Sequence, residues 1–315
     1  MQASTKKILK VGILVLVALF VLADLVALFP MQMSPIPMAL LYASGRGGLC
    51  DFGDATHSLD EIAVRSDVLN AQDAAVRKIQ EDGPVTLWET RMGPLWAPTR
   101  DETQFIPLLA EQEREIYGEI HPGDVIIDGG ANIGDFTRTA LNAGAKLVVA
   151  VEIAPDTLEA LHRNMADEIA AGRVIVYDKG ISDSDSTMML RTAIGFGSGL
   201  DSLFDDSRAR EDAVEVRLTT IDKIVDELKL PHVDLIKLDV EGAELPGVIG
   251  ARRVIARDKP RLVFDAEVFE QADVDRIAEE LHKADPGYRM SSNACILLTS
   301  QWRLRADVVS FEVEK

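Results

Sequence analysis

Seven residues near the middle of the chain, Asp128-Gly129-Gly130-Ala131-Asn132-Ile133-Gly134, combine an acid, three glycines and an amide. An apolar run, Val125-Ile126-Ile127, precedes them and a helical pattern (Phe136, Ala140, Leu141) follows, which predicts a strand-to-helix turn. Glycine in such a turn lets backbone amides approach a ligand that a Cβ would hold off. Glu152 is the first acid after the next apolar run, Leu147-Val148-Val149-Ala150-Val151. In doubly wound folds a carboxylate about 20 residues beyond the loop holds a ribose diol. Together they describe a nucleoside-cofactor site, with a turn that binds nothing as the bland alternative.

The loop also bears on which nucleoside. A dinucleotide site uses Gly-x-Gly-x-x-Gly, which seats a pyrophosphate on a helix N-terminus. Here Gly130 is followed by Ala131-Asn132-Ile133-Gly134, and the acid Asp128 opens the loop. A carboxylate repels a pyrophosphate but attracts the α-amino group of S-adenosylmethionine.

A second constellation is Leu235-Ile236-Lys237-Leu238-Asp239-Val240-Glu241-Gly242-Ala243-Glu244. It predicts a strand delivering charged groups at its C-terminal end, the edge where open α/β sheets bind ligands. Lys237, Asp239 and Glu241 alternate and therefore share a face. A charged face on a central strand is costly unless it lines a site or pairs internally. Two readings stay open: catalytic groups, or an internal lysine–carboxylate pair followed by a helix-start acid, Glu244, favoured by the dipole.

The elements that must position these groups alternate from residue 124 onward. Strands are predicted at 124–128, 147–152, 173–177, 233–240 and 261–266, with helices at 133–143, 155–170, 244–256 and 270–285. That order argues for a parallel, doubly wound α/β sheet. Between 183 and 221 it gives way to β-type pieces (Thr187-Met188-Met189-Leu190; Val214-Glu215-Val216-Arg217-Leu218) around a Gly/Ser loop at 195–199. The tail, with Cys295-Ile296-Leu297-Leu298 and Val308-Val309-Ser310-Phe311, supplies final strands.

The Asp-Gly-Gly-Ala-Asn-Ile-Gly loop, the Ile-Lys-Leu-Asp-Val-Glu-Gly-Ala-Glu strand and the spacing between them resemble the FkbM family of S-adenosylmethionine-dependent methyltransferases. So do Leu218-Thr219-Thr220-Ile221-Asp222 before the second motif and Glu111-Gln112-Glu113 before the first. The resemblance covers about residues 105 to 270. It implies a class I methyltransferase fold, with a mostly parallel seven-stranded sheet, and usually methylation of a hydroxyl on a sugar or secondary metabolite. It also implies that Asp128, Gly129, Gly130, Asn132 and Gly134 hold the methionine part, Glu152 the ribose, and that Asp178 approaches the adenine. Tyr-Asp-Lys-Gly-Ile-Ser at Asp178 is a looser match, and Asp265 and Glu267 share a place where the family tends to have one acid.

Methyl transfer from a sulfonium is an in-line displacement, so alignment is the largest lever, worth up to roughly 7–11 kcal/mol. A hydroxyl acceptor also loses a proton, for which a placed base adds about 10²–10⁴-fold. Asp239 is the candidate for that base or for orienting the acceptor, with Glu241 second. No metal ligand is assigned; a carboxylate-bound divalent ion at Asp239, Glu241 and Asp265 is the minor alternative. Two other function classes compete: an NAD(P)-dependent reductase, which the glycine pattern disfavours, and a catalytically silent binding module.

Formal net charge is −19 over 315 residues, while the first thirty carry three lysines against one acid. Such a surface repels phosphate backbones, so nucleic acid is not the expected substrate. A sugar, glycolipid or other small molecule is. The two cysteines, Cys50 and Cys295, match no disulfide or metal spacing, and the five histidines form no pair at ligand spacing.

Residues 11–29 hold one charge, Asp24, in an otherwise apolar run behind Lys6, Lys7 and Lys10. A helix of that length spans about 28 Å, near the roughly 30 Å hydrocarbon core. Apolar side chains contribute roughly −6 kcal/mol against about 3 for Asp24, which predicts an N-terminal membrane helix. A cleaved signal peptide is the competitor. The expected organisation is an anchor over 1–30, a Pro- and Gly-bearing linker over 31–57, a helical and hairpin extension over 58–122, and a methyltransferase domain over 123–315. Within the extension, Ser58 and Glu61 form a predicted capping box, 84–98 a hairpin and 111–117 a helix. The lysines before the span put the N-terminus in the cytoplasm, and a single crossing then puts the domain outside. S-adenosylmethionine is made in the cytosol, and a span of minimum length carrying Asp24 can reorient or lie flat along the inner surface, so the domain is expected to face the cytoplasm on a single-pass or interfacial helix.

Overall fold

A computed structural model describes residues 42–46, 48–50, 66–101, 105, 109, 117–191, 202–204, 213–240, 242–266, 271–298 and 303–313. At its centre lie the strands β4 (Val125–Gly129), β5 (Leu147–Val151), β6 (Val174–Tyr177), β11 (Leu235–Leu238), β12 (Arg261–Asp265), β13 (Tyr288–Leu298) and β14 (Arg303–Val313). They form one seven-stranded sheet in the order β13-β14-β12-β11-β4-β5-β6. The five strands from β12 to β6 run parallel, and β14 adds antiparallel to β12, with β13 beyond it. The predicted doubly wound, mostly parallel sheet is therefore present.

Each central strand is buried on both sides, and residue parity decides which core it enters. Val125, Ile127, Val149, Val151, Ile236, Leu238, Leu262 and Phe264 fill one core. Ile126, Val148, Ala150, Leu235 and Val263 fill the other. Continuous apolar runs are what two covered faces require. Helices α2 (Asp135–Asn142) and α3 (Pro155–Asn164) lie on the second side. On the first are α5 (Ile221–Leu228), α6 (Glu244–Gly250), α7 (Arg252–Asp258) and α8 (Gln271–Ala284). The helix predicted over 155–170 breaks at Met165 before a short α4 (Ala166–Ala170), and that over 244–256 breaks at Ala251.

The β-type pieces form a second, four-stranded sheet: β7 (Gly180–Ile181), β8 (Ser186–Arg191), β9 (Ser202–Phe204) and β10 (Ala213–Thr219), ordered β7-β10-β8-β9. The Gly/Ser loop at 195–199 lies outside the described residues. In the extension, residues 66–75 are helical (α1) and three antiparallel strands follow. These are β1 (Arg77–Asp82), β2 (Val85–Glu89) and β3 (Leu95–Pro98). The predicted hairpin is β2–β3; β1, exposed along its whole length, gave no apolar alternation to find. Ser58, Glu61 and residues 111–116 lie outside the described residues.

Two expectations need correction. Cys50 and Cys295 form a disulfide, with Cα atoms 5.9 Å apart. Spacing along the chain could not show it, because the bond joins residues brought together by the β13–β14 hairpin. The segment read as linker also packs: Tyr42–Arg46 forms a helical turn beside β14, and Leu49 and Cys50 are buried in the main core with Leu304 and Ala306. Residues 11–29 lie outside the described residues; among those described, no helix is long and apolar enough to cross a membrane.

Candidate active site

The site grows out of the register between β4 and β11. Lys237 pairs across the strands with Asp128, and both have the parity of the side covered by α2. Their side chains are therefore driven into the interior together, Asp128 at 0 % and Lys237 at 3 % exposure. Lys237 Nζ lies 3.4 Å from Asp128 Oδ1 and 3.4 Å from Asp239 Oδ2. It also donates to the carbonyl of Gly130 at 3.0 Å. Rings of Tyr117 and Phe136 sit 5.3 and 5.6 Å from the ammonium, adding cation–π attraction where water is excluded. The surrounding carboxylates hold the ammonium pKa above its ordinary value against the opposing pull of burial.

Above this cation the chain turns tightly. Gly130, Asn132 and Gly134 all have positive φ, a region where glycine is unstrained and asparagine tolerated. A Cβ on Gly130 would meet the carbonyl of Asp239 at 1.8 Å, so only glycine lets the loop press against the end of β11. The loop is tied to β5 as well: Gly130 N and Ala131 N donate to Val151 O, and Asn132 N donates to Glu152 Oε2 at 3.0 Å. Glu152 Oε1 accepts from Ile153 N and Ala154 N at 2.6 and 2.9 Å. These amides fix the orientation of the Glu152 carboxylate. On the other side Asp239 N donates to Gly129 O at 3.0 Å. The ends of three adjacent strands, β11, β4 and β5, are thereby drawn together.

Each expected residue can now be located. Gly129 to Gly134, Glu152, Lys237 and Asp239 converge. Asp239 is more open than its two buried neighbours, its side chain 33 % exposed against 4 % for Lys237 and 0 % for Asp128. Asp128 is buried beneath the loop, where Thr137 Oγ1 donates to its Oδ2 at 2.6 Å and Lys237 Nζ lies 3.4 Å from its Oδ1. Asp178 is exposed at the end of β6, 3.5 Å from Arg217 of β10. Glu241 and Glu267 lie outside the described residues. Asp265 ends β12, on the far side of β11 from the loop. Among the described residues no three potential ligands gather for a metal ion.

Four groups were not singled out from sequence. Asp135, the first residue of α2, is buried at 5 % exposure, and burial pushes its carboxyl up to about 7. Thr137 anchors Asp128 from one turn of the same helix. Their only signal was adjacency to the loop. Asn164, ending α3, bonds both backbone groups of Trp96 and the carbonyl of Ile133, and nothing local marks it. Tyr117 approaches the lysine from outside the sheet. Glu244, read as a helix-start acid, also closes the turn after β11, its Oε1 accepting from Val240 N and Gly242 N at 3.2 Å each.

A family model described as the methyltransferase FkbM domain matches residues 128–290. Among curated proteins, the hexuronic acid methyltransferase AglP of Haloferax volcanii is 26 % identical over 183 residues, 58 % of this chain and 67 % of that protein. Among solved structures, the methyltransferase FkbM of Methylobacillus flagellatus KT is 17 % identical with a TM-score of 0.43. The match covers 80 % of this chain and 59 % of that one, so the chain spans less than two thirds of that protein. M. jannaschii TYW2, solved with AdoMet, is 14 % identical with a TM-score of 0.41, covering 75 % and 90 %.

Proposed function

The chain belongs to the FkbM family of S-adenosylmethionine-dependent methyltransferases, and from that premise we propose that it methylates a hydroxyl of a sugar, glycolipid or secondary metabolite. The observation that carries the site is the meeting of the glycine loop, Glu152 and Asp239 at the C-terminal ends of three neighbouring strands, the edge where such sheets bind ligands. A sugar-type acceptor draws support from the hexuronic acid methyltransferase relative. The strongly acidic composition disfavours nucleic acid.

In this proposal the loop from Gly129 to Gly134 takes the methionine part and Glu152 the ribose. Asp178, at the end of the next strand, stands on the adenine side. When bound, the cofactor supplies an electrophilic methyl on a sulfonium; the chain supplies alignment and a base. Asp239 is that base or the group that orients the acceptor hydroxyl, because its side chain is one-third exposed where that of Asp128 is wholly buried; Glu241 is second. Lys237 sits beneath the loop, where it holds Gly130, Asp128 and Asp239 in place without reaching solvent.

The apolar segment 11–29 would tether the enzyme to a membrane, close to a lipid-linked or membrane-proximal glycan. On which side is a question with competing supports. Cofactor synthesis favours the cytoplasm. The flanking lysines favour the opposite side, and the Cys50–Cys295 bond now joins them, since disulfides persist in oxidising compartments. We propose that the domain faces the oxidising side, which requires a cofactor supply there.

Thermal melts test the cofactor. S-adenosylhomocysteine at one hundred times its Kd should stabilise the fold by about 2.7 kcal/mol, and NADH should not. Asp239→Asn should lose most turnover while calorimetry shows cofactor binding intact. Equal loss of cofactor affinity in Asp239→Asn and Glu152→Gln would make Asp239 a binding residue. The acceptor is sought by comparing membrane glycans and lipids with and without the gene for a mass shift of one methylene.

A further inference from the structure

At the end of β6, where the nucleoside part of the cofactor would lie, the chain is pinned residue by residue. Tyr177 has the parity of the first core, while Val174 and Val176 enter the second. Its hydroxyl donates to Glu227 Oε2 of α5 at 2.5 Å, and its carbonyl accepts from Glu152 N at 3.2 Å. Lys179, two residues on, turns the same way. Its ammonium lies over the Tyr177 ring and donates to Tyr177 Oη at 3.1 Å and to the two Glu227 oxygens at 3.2 and 3.3 Å. Gly180 then pairs with Leu218 of β10, so closely that a Cβ on it would meet Leu218 Cδ2 at 2.6 Å. Asp178 stands between these fixed neighbours with the opposite parity. Its side chain is 66 % exposed, with Arg217 of β10 3.5 Å away. Glu227 thus bonds both neighbours of Asp178 at once, and through Tyr177 it reaches the strand end that accepts from Glu152.

We propose that Glu227 is a positioning residue for recognition of the adenine: by clamping Tyr177 and Lys179 it fixes the direction in which Asp178 meets the base. The proposal rests on the methyltransferase reading, which supplies the adenine and sets Asp178 on its side. The chemistry suits that base. An ionised carboxylate only accepts hydrogen bonds, and the exocyclic amino group of adenine donates them. Such a bond discriminates between bases only if the acceptor is held where the donor arrives; a carboxylate free to swing is satisfied as well by water. Exposed ion pairs add little to stability, so a clamp whose Glu227 side chain is 46 % exposed is better explained by what it orients than by holding the fold.

Calorimetry on the full chain compares S-adenosylhomocysteine with the analogue whose base is unsubstituted purine, lacking only the exocyclic amino group. The native chain should prefer the adenine compound by about tenfold, the worth of one hydrogen bond to a charged acceptor. Asp178→Ala should abolish that preference. Glu227→Ala should bind the adenine compound several-fold more weakly and the purine compound nearly as before. Glu227→Gln keeps an oxygen for Tyr177 and should recover part of the preference. Tyr177→Phe loses a single hydroxyl and should give up part of it. Ligand-free melts set the titrations at a temperature where every variant is folded. A Glu227 that only supports the fold would weaken both compounds alike, and that result overturns the proposal. So does a full preference in Glu227→Ala or Asp178→Ala, or a native chain that binds both compounds equally; methyl transfer would stand in each case. Binding of neither compound by the native chain defeats the methyltransferase reading and the proposal with it.

Discussion

Lys237 and Asp128 face each other because β11 and β4 lie side by side in parallel register, and a shift of one residue would turn either charge to the other core. The period-2 argument correctly put Lys237 and Asp239 on one face, and it left an internal pair open beside a catalytic role for the lysine. The structure adds the partner strand, which no spacing within β11 could reveal. A buried ion pair is weak evidence of net stabilisation, but removing one partner leaves a stranded charge and costs about 3–5 kcal/mol. Lys237→Met should show that loss in urea unfolding, and adding Asp128→Asn should recover part of it. A change below about 1 kcal/mol in the single variant would mean that solvent already reaches the pair.

At the scale of elements, most of the parallel sheet was legible, because each strand is an apolar run and each helix an amphipathic one. The glycine loop was legible too, since its positive φ values demand special residue types. What could not be read was how the N-terminal strands attach. Asn164 does that work: its amide bridges Trp96 of β3 and Ile133 of the loop, so the extension is bonded to the turn beneath the expected cofactor. Arg100 pairs with Asp156, and Arg163 stacks on Trp96, on the same side of α3. Each buried polar group left without a partner costs about 1–3 kcal/mol, so Asn164→Leu should destabilise by roughly 3 kcal/mol or more. If the bridge also sets the loop, S-adenosylhomocysteine should bind several-fold more weakly to the folded variant. Unchanged affinity by calorimetry below the melting transition would restrict Asn164 to holding the extension.

The whole molecule is tied at its outer edge. Cys50 and Cys295 bond residues 245 positions apart, and Gly48 and Leu49 lie against β14 beside them. The chain that would leave the proposed membrane helix at about residue 30 is thus fastened to the β13–β14 edge of the sheet, opposite the edge formed by β6. Were residues 11–29 in a bilayer, the twelve residues from there to Tyr42, where the chain packs beside β14, could reach at most about 43 Å. The same bond bears on compartment, since a reducing cytosol would keep two thiols there. Acid-quenching of intact cells followed by alkylation before and after reduction reads the state directly. With the domain on the oxidising side, both cysteines should resist alkylation until reductant is added. Reduction of the purified protein should then lower the melting temperature by several degrees, in line with the roughly 2–5 kcal/mol of a native disulfide. Cysteines that alkylate at once in quenched cells would return the domain to the cytoplasm, where its cofactor is made, and would leave the bond as one that forms only after lysis.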